Sequence, residues 1–441
     1  MNAMKHLTLA CLTIVMLANG AKAQSFTLHA FEKVRLTDRF WSEGATFGDF
    51  NKDGNQDVAS GPYWWEGPGF SARHTFYPDN RGWQKKHPDG SIQTIQGFEG
   101  ALGTKNTYSR NFLAFAHDFN ADGWDDILIL GFPGEESAWH ENPQGASGYW
   151  TRHIILDVTD NESPTFADLT GDGKPEIICS SGGHYGYASP DWKHPEKPWK
   201  FRPVTPKGPW QRFTHGMGIG DVNNDGRMDL LAKEGWWEQP AGLEGDPAWK
   251  HHPYPFSPGG GAQMYAYDVD GDGDNDVITS IAAHGYGLAW YENIPTPEGI
   301  SFENHTFMNK EASENRYGVS FSQLHAIDLI DMDGDGLKDI ITGKRFWAHG
   351  PNGDAEPNAP AVLYWFKLDR NDKGVDFIPH LIDDNSGIGT QVMAKDIDGD
   401  GYPEIVVGNK KGTFVHRHLV QEVDRDTWMR AQPKVLHSNS L

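Results

Sequence analysis

Short apolar runs rich in β-branched residues recur along the chain, each following an acidic, glycine-containing turn. They read DVAS from Asp57, DILIL from Asp126, EIICS from Glu176, DLLA from Asp229, DVITS from Asp276, DIITG from Asp339 and EIVVG from Glu404. Runs of this length and make-up predict strands rather than helices. The turn before each run has the pattern D-x-[D/N/T]-x-D-G-x-x-[D/E]. Its seven copies start at Asp49, Asp118, Asp168, Asp221, Asp268, Asp331 and Asp396, spaced by 69, 50, 53, 47, 63 and 65 residues. A Trp/Tyr-rich segment follows most runs (WWEGPG, AWHENP, GWWEQP, LAWYENIP, LYWFKLD), and then an aromatic-x-x-His segment. Each repeat thus predicts four strands: one into the acidic loop, one out of it, a Trp strand and a His strand.

A four-stranded repeat needs about 40–50 residues, so the surplus in some repeats is loop. The last repeat ends at FVHRHLV, one strand short, and the N-terminal FTLHAFEKV matches the missing His strand. Pairing the two removes exposed edges by closing a ring. The expected fold is therefore all-β: a seven-bladed β-propeller with one calcium-type acidic loop per blade, closed by the mature N-terminal strand. The recurrent His74, His153, His252, His305 and His380 are expected to pack rather than react.

The loop spacing has a chemical reason. Oxygens at positions 1, 3, 5 and 9 can converge on one hard cation, with a carbonyl at position 7, and Gly at position 6 permits the sharp turn. The expected ligand sets are Asp49, Asn51, Asp53 and Asp57; Asp118, Asn120, Asp122 and Asp126; Asp168, Thr170, Asp172 and Glu176; Asp221, Asn223, Asp225 and Asp229. The later loops give Asp268, Asp270, Asp272 and Asp276; Asp331, Asp333, Asp335 and Asp339; Asp396, Asp398, Asp400 and Glu404. The loop at Asp168 is the weakest, because Thr170 replaces an acid. The pattern resembles an EF-hand loop, but a strand and not a helix follows it.

Charge and termini narrow the setting. The net charge is −23, with 61 acids against 38 bases, which repels nucleic acid and anionic membrane. Lys5, the apolar run Leu7–Ala18 and Ala21-Lys22-Ala23 predict a cleaved signal peptide over 1–23 and a periplasmic or secreted protein. Only Cys179 then remains, so no intrachain disulfide stiffens the loops. The expected organisation is signal peptide 1–23, propeller 24–420 and C-terminal tail 421–441.

The repeated loop-and-strand motif resembles the FG-GAP/VCBS repeat family, whose calcium loops and seven-bladed propellers also occur in integrin α heads. The resemblance implies that all acidic loops lie at one end of the blades and the functional mouth at the other. Six residues before each loop stand Glu43, Phe112, Glu162, His215, Ala262, His325 and Thr390. The far ends of the exit strands bring His184, Lys233, Glu234, His284, Lys344, Arg345, Asn409 and Lys410 to the same mouth, with Tyr187 and Tyr286 close behind. Polar groups near an axis must be wet, bonded or metal-bound. His215 and His325 are candidate ligands of a second divalent ion, with Glu162 or Glu43 as carboxylate partner. His284 or His184 is the candidate base, Tyr286 the acid, Lys344 the oxyanion partner, and Arg345 a holder of substrate oxygens. Trp237 and Trp347, with Tyr187, suit a carbohydrate ligand.

Residues 210–350, including THGMGIGDVNNDGRMDLLAKEGWWEQP, AAHGYGLAWYEN and SQLHAIDLIDMDGDGLKDIITGKRFWAHG, are similar to the propeller domain of aldos-2-ulose dehydratase-type proteins. That resemblance implies a metal-assisted lyase that eliminates water or a glycosyl group from a keto sugar, although the cupin domains of that family are absent. The alternative is a non-catalytic, calcium-stabilised propeller that binds glycan or protein. A hydrolase built on Glu43 and Glu162 is a third reading.

Overall fold

The computed structural model describes residues 25–78, 82–86, 89–96 and 108–436. The expected signal peptide lies outside them. The chain is all-β, with curled sheets consistent with a propeller. Among the described residues the one α-helix is Arg425–Ala431, and no helix is long and apolar enough to cross a membrane.

Each acidic loop joins the first two strands of a four-stranded antiparallel unit. The first unit is Thr46–Gly48, Asp57–Ser60, Tyr63–Trp65 and Arg73–Thr75. The second is Leu113–His117, Asp126–Leu130, Glu135–Glu141 and the first half of the long strand Thr151–Ala167, whose second half opens the third unit. That unit continues through Glu176–Ser181, His184–Ser189 and Lys200–Pro203. The fourth is Met217–Gly220, Asp229–Ala232, Gly235–Glu238 and Lys250–Pro253; the fifth is Gln263–Tyr267, Asp276–Ser280, Leu288–Thr296 and Gly299–Met308. Ile327–Ile330, Asp339–Gly343, Leu363–Asn371 and Gly374–Asp383 form the sixth. A separate hairpin, Gly82–Lys86 with Ile92–Gln96, occupies part of the long interval between the first two loops.

The last unit is Val392–Lys395, Glu404–Asn409 and Gly412–Val423, and its outer strand is the N-terminal segment Phe26–Thr37. The register runs from Phe26 opposite Val423 to Thr37 opposite Thr413. Within it His29 and His418 share a hydrogen bond of 2.9 Å. The last strand continues to Val423, three residues into the expected tail, because Phe26–Thr37 gives it a partner along its whole length. The short helix that follows sets Trp428 against Phe26, ring centroids 5.4 Å apart.

The acidic loops share one geometry. The sixth-position glycines, Gly54, Gly123, Gly173, Gly226, Gly273, Gly336 and Gly401, all have φ between 83° and 98°, a left-handed conformation that side chains resist. In every loop the fifth-position Asp accepts the N–H two residues on, as Asp53 does from Asn55 at 2.8 Å. The ninth-position acid is turned inward. Asp57 accepts the Phe50 N–H at 2.9 Å and the Gly67 N–H at 2.8 Å, tying its loop to the third strand. Asp126, Asp229, Asp276 and Asp339 repeat this pair of bonds. In the fifth, sixth and seventh loops the acids at positions 1, 3 and 9 bring ligand oxygens within 4.8 Å of one another.

The recurrent histidines form a second repeating device. His74, His252, His305 and His380 stack on Trp64, Trp236, Trp290 and Trp365 at centroid distances of 4.1, 4.0, 4.3 and 4.6 Å. His153 leans on Trp139 at 4.4 Å. Four of these rings also reach a glutamate on the Trp strand: Glu66, Glu141, Glu238 and Glu292, at 2.7–2.8 Å. The Trp body packs between units while the imidazole spans the apolar stack and a polar rim.

At the centre, side chains replace missing ladder bonds. Gln263 accepts the Ile327 N–H at 3.0 Å and donates to Thr390 O at 3.1 Å. Gln391 brackets Ala114, accepting its N–H at 2.9 Å and donating to its carbonyl at 2.8 Å. Gln263 thus ties the fifth unit to the sixth and to the start of the seventh, and Gln391 ties the seventh to the second.

Candidate metal centre

The mouth opposite the acidic loops is built where first strands begin and second strands end. Five of the seven positions six residues before a loop carry a bulky or ionisable side chain. Three of these, Glu43, Phe112 and Glu162, gather around Arg345, which enters from the sixth unit. Its guanidinium lies 3.2 Å from Glu43 and 3.2 Å from Glu162 and covers the Phe112 ring at 5.4 Å. Glu162 also faces His215 Nε2 at 3.4 Å. Burial opposes ionisation of Glu162, yet His215, Arg345 and His284 together hold its pKa at about 2.

Beside this charge cluster three imidazoles converge. One ring nitrogen from each of His215, His284 and His325 lies within 4.8 Å of the others. Ring centroids are 4.9 Å apart for His215–His284, 5.5 Å for His215–His325 and 4.4 Å for His284–His325. His215 Nδ1 sits 2.9 Å from Phe213 O and His325 Nδ1 sits 3.3 Å from Gln323 O. A carbonyl only accepts, so both Nδ1 atoms carry the hydrogen. The Nε2 atoms of these two rings are buried and have no hydrogen-bond partner. Burial, with Arg345 and the other two imidazoles, holds His325 well below the usual imidazole range. A cation held by these rings would meet the Glu162 carboxylate, whose oxygen lies 3.4 Å from His215 Nε2.

A loop between the second and third strands of the sixth unit completes the site. Its Asp354 lies 3.3 Å from His284 Nδ1 and 2.9 Å from His349 Nδ1, and the His284 and His349 rings stack at 4.5 Å. Burial opposes charge on Asp354, but the two imidazoles hold its carboxyl well below the usual range. Two buried lysines pin this loop. Lys344 donates to Ser322 Oγ at 2.6 Å and Lys410 donates to Trp347 O at 2.6 Å. Burial brings both ammonium groups down to about 8. Gln323, Trp347, Asp354 and Glu356 hold φ of 66°, 54°, 60° and 44°, a strain of about 1–3 kcal/mol each for residues with side chains. Four such positions around one cluster mark a backbone held in place for the site.

The remaining expected site residues fall elsewhere. His184 stands apart from the three converging rings and gives Nδ1 to Thr205 O at 2.8 Å. Tyr286 is half-buried; burial and Glu356, to which its hydroxyl bonds, push the phenol up to about 12. Arg345 is occupied by Glu43 and Glu162 and is only 2% exposed, so it holds the mouth together rather than meeting substrate. Lys344 is likewise withdrawn from solvent. Trp237 lies under His251 at 4.3 Å, Tyr187 is buried beside Trp249, and Trp347 stacks on Phe346 at 4.9 Å. All three rings are wall, with no open face for a sugar.

A repeat model identifies the elements that hold these side chains. The FG-GAP-like repeat matches residues 118–179 and 331–407. Two regions of the chain carry FG-GAP repeats. The first FG-GAP region spans the loops at Asp118 and Asp168, and the second spans those at Asp331 and Asp396 together with Lys344, Arg345, His349 and Asp354. No curated protein matches the chain in sequence. Among solved structures, one from Agrocybe aegerita, a lectin described for specific recognition of non-reducing terminal N-acetylglucosamine, is 14% identical. It covers 92% of this chain and 84% of its own, with a TM-score of 0.32. The V. cholerae biofilm matrix protein Bap1 is 11% identical and covers 91% of this chain and 81% of its own, with a TM-score of 0.34. Neither overlap is close enough to transfer a site.

Proposed function

We propose that the chain is an exported, closed seven-bladed β-propeller with calcium in its acidic loops and a metal-assisted carbohydrate lyase centre in the opposite mouth. The blade count is supported by seven acidic loops, each between the first two strands of a unit, and by the N-terminal strand completing the last unit. Export rests on the N-terminal sequence. The observation that carries the catalytic reading is the convergence of His215, His284 and His325, two of them with buried Nε2 atoms that have no hydrogen-bond partner.

Three imidazoles with a carboxylate nearby suit a divalent ion of the zinc type. Such an ion polarises a carbonyl oxygen when bound. The residues of the chain supply the rest. Asp354 orients His284 on one side and His349 on the other, the outer-shell arrangement that fixes ring tautomers. His349 bonds Asp354 through Nδ1 and is exposed, so its other nitrogen is placed to accept the proton beside a ketone. As that C–H bond breaks, a carbon–carbon double bond forms and the β-oxygen departs. Tyr286, half-buried and hydrogen-bonded to Glu356, supplies the proton that leaves with it as water or as an alcohol. Glu162 and Arg345 balance the added charge. The keto-sugar substrate class comes from the resemblance over residues 210–350.

The test is metal analysis of the purified chain together with incubation with an aldos-2-ulose, following ultraviolet absorbance of the unsaturated product. The expected result is one tightly held transition-metal ion, lost in His215→Ala and His325→Ala, and absorbance that depends on it. Wild-type protein that takes up no such ion overturns the reading. Sugar binding without turnover makes the protein a glycan-binding propeller instead.

A further inference from the structure

The segment that links the third unit to the fourth, residues 204–216, lies at the mouth end, because strand Lys200–Pro203 ends there and strand Met217–Gly220 begins there. Its crest is exposed at Gln211, Arg212 and Phe213, whereas Thr214 and His215 are buried. Thr214 closes the turn. Its N–H and its hydroxyl both donate to Gln211 O, at 2.9 and 2.7 Å, and its Oγ1 accepts the Gln211 N–H at 3.1 Å. The crest is then tied to the site. The Asn161 N–H donates to Arg212 O at 2.9 Å, the Glu162 N–H to Thr214 O at 2.8 Å, and His215 Nδ1 to Phe213 O at 2.9 Å. The residue whose carbonyl orients the first imidazole therefore carries the exposed ring.

That ring ends an aromatic wall that starts inside the mouth. Arg345 covers Phe112 at 5.4 Å, Phe112 meets Phe132 at 5.6 Å, and Phe132 meets Phe213 at 5.6 Å. Phe112 is 1% exposed and Phe213 is 41% exposed, so the wall climbs from the buried guanidinium to the lip. Among the described residues the only other exposed aromatic ring is Tyr149. It lies at the opposite end, on the turn 142–150 that Asn142 ties to the loop acid Asp126. Position, rather than exposure alone, singles out Phe213. The Arg212 guanidinium lies 5.8 Å from its centroid and adds exposed N–H donors beside the ring. A flat apolar face with donors at its edge suits a pyranose, which has a CH-rich face and hydroxyls around it.

We propose that Phe213 is the sugar platform of the mouth: its open ring takes the CH face of a pyranose whose hydroxyls meet Arg212 and whose near edge is turned toward His215. The proposal deepens the carbohydrate reading of the mouth and rests on it. Phe213 thereby fills the role that Trp237, Trp347 and Tyr187, all buried, do not. An open-chain sugar with the same hydroxyls has no such face and gains nothing from the ring.

The experiment is calorimetric titration of the protein as purified with 1,5-anhydroglucitol, a pyranose with no carbonyl to react, and with open-chain glucitol. Lyase activity does not bear on either. The cyclic sugar should bind about fivefold to tenfold more tightly than the open chain. Phe213→Ala and Phe213→Leu should each remove that preference, because neither has a flat ring, and Phe213→Trp should keep it. Should Phe213→Ala lower the melting temperature through lost contact with Phe132, Phe213→Leu alone decides. Wild-type protein that binds sugar without the preference, or folded Ala and Leu variants that keep it, overturns the platform alone. Wild-type protein that binds neither 1,5-anhydroglucitol nor glucosone, an aldos-2-ulose, overturns the carbohydrate reading together with it.

Discussion

Arg345 and Glu162 meet at 3.2 Å inside the mouth, both nearly withdrawn from water, although 183 residues separate them in the chain. Glu43, on the far side of the guanidinium, makes this a triad. Removing the central cation strands two buried carboxylates, so Arg345→Met should destabilise the fold by about 3–5 kcal/mol. Glu43→Gln, which keeps the shape and one carboxylate, should cost less. Urea denaturation followed by tryptophan fluorescence checks the order.

Asp354 should matter to metal affinity without touching the metal. It orients His284 through Nδ1, and loss of such an outer-shell carboxylate weakens metal binding by about 10–100-fold. Asp354→Asn should therefore lower zinc affinity by that amount in a chelator competition, whereas His349→Gln should leave affinity nearly intact and reduce turnover. A His349→Gln protein with full lyase activity would remove that residue from the proton path.

The acidic loops should differ in their need for calcium. The Trp-strand residue that is Glu66, Glu141, Glu238 and Glu292 in four units is Lys367 in the sixth, by strand register. Its ammonium bonds Asp333, and Asp335 at 2.6 Å, inside the loop that a cation would otherwise fill. The sixth loop is therefore neutralised from within. Lys367→Glu should add about one calcium per chain to the binding stoichiometry by calorimetry. Unchanged stoichiometry would show that the lysine does not stand in for the ion.

Calcium should stabilise the protein more as pH rises. Burial, opposed by backbone hydrogen bonds, pushes Asp57, Asp229 and Asp276 up to about 7 and Asp126 and Asp339 up to about 8. With folded values above the unfolded ones, these groups bind more protons when folded. Their contribution is complete below the usual aspartate range and is lost as pH rises through about 7–8. A cation removes the cost by compensating the bare carboxylates. Thermal melts with and without calcium should diverge between pH 5 and pH 8, about those values. Parallel curves would contradict the assignment.

The repeating parts of the fold were legible because their causes are local. A glycine forced to positive φ, an Asp that caps the next turn and an apolar run behind it need only nine consecutive residues. The closing pair was legible for the same reason, since FTLHAFEKV and FVHRHLV each carry their own pattern. The mouth was legible in part. Counting six residues back from each loop found Glu43, Glu162, His215 and His325, because strand length fixes where they emerge. His184 does not join the three converging rings. It begins the third strand of its unit after the tight Gly182–Gly183 turn and bonds Thr205 O. Asp354 and His349 sit on an irregular loop with no period to count, and only the long gap between Gly343 and Leu363 hinted at them. That Trp237 and Arg345 are buried follows from neighbours distant in the chain, which composition does not reveal.

Gln263 and Gln391 each tie their own unit to one beyond the next, Gln263 to Thr390 and Gln391 to Ala114. Repeats that touch only their immediate neighbours can loosen one at a time; a unit bound past its neighbour cannot, so the ring should yield as a whole.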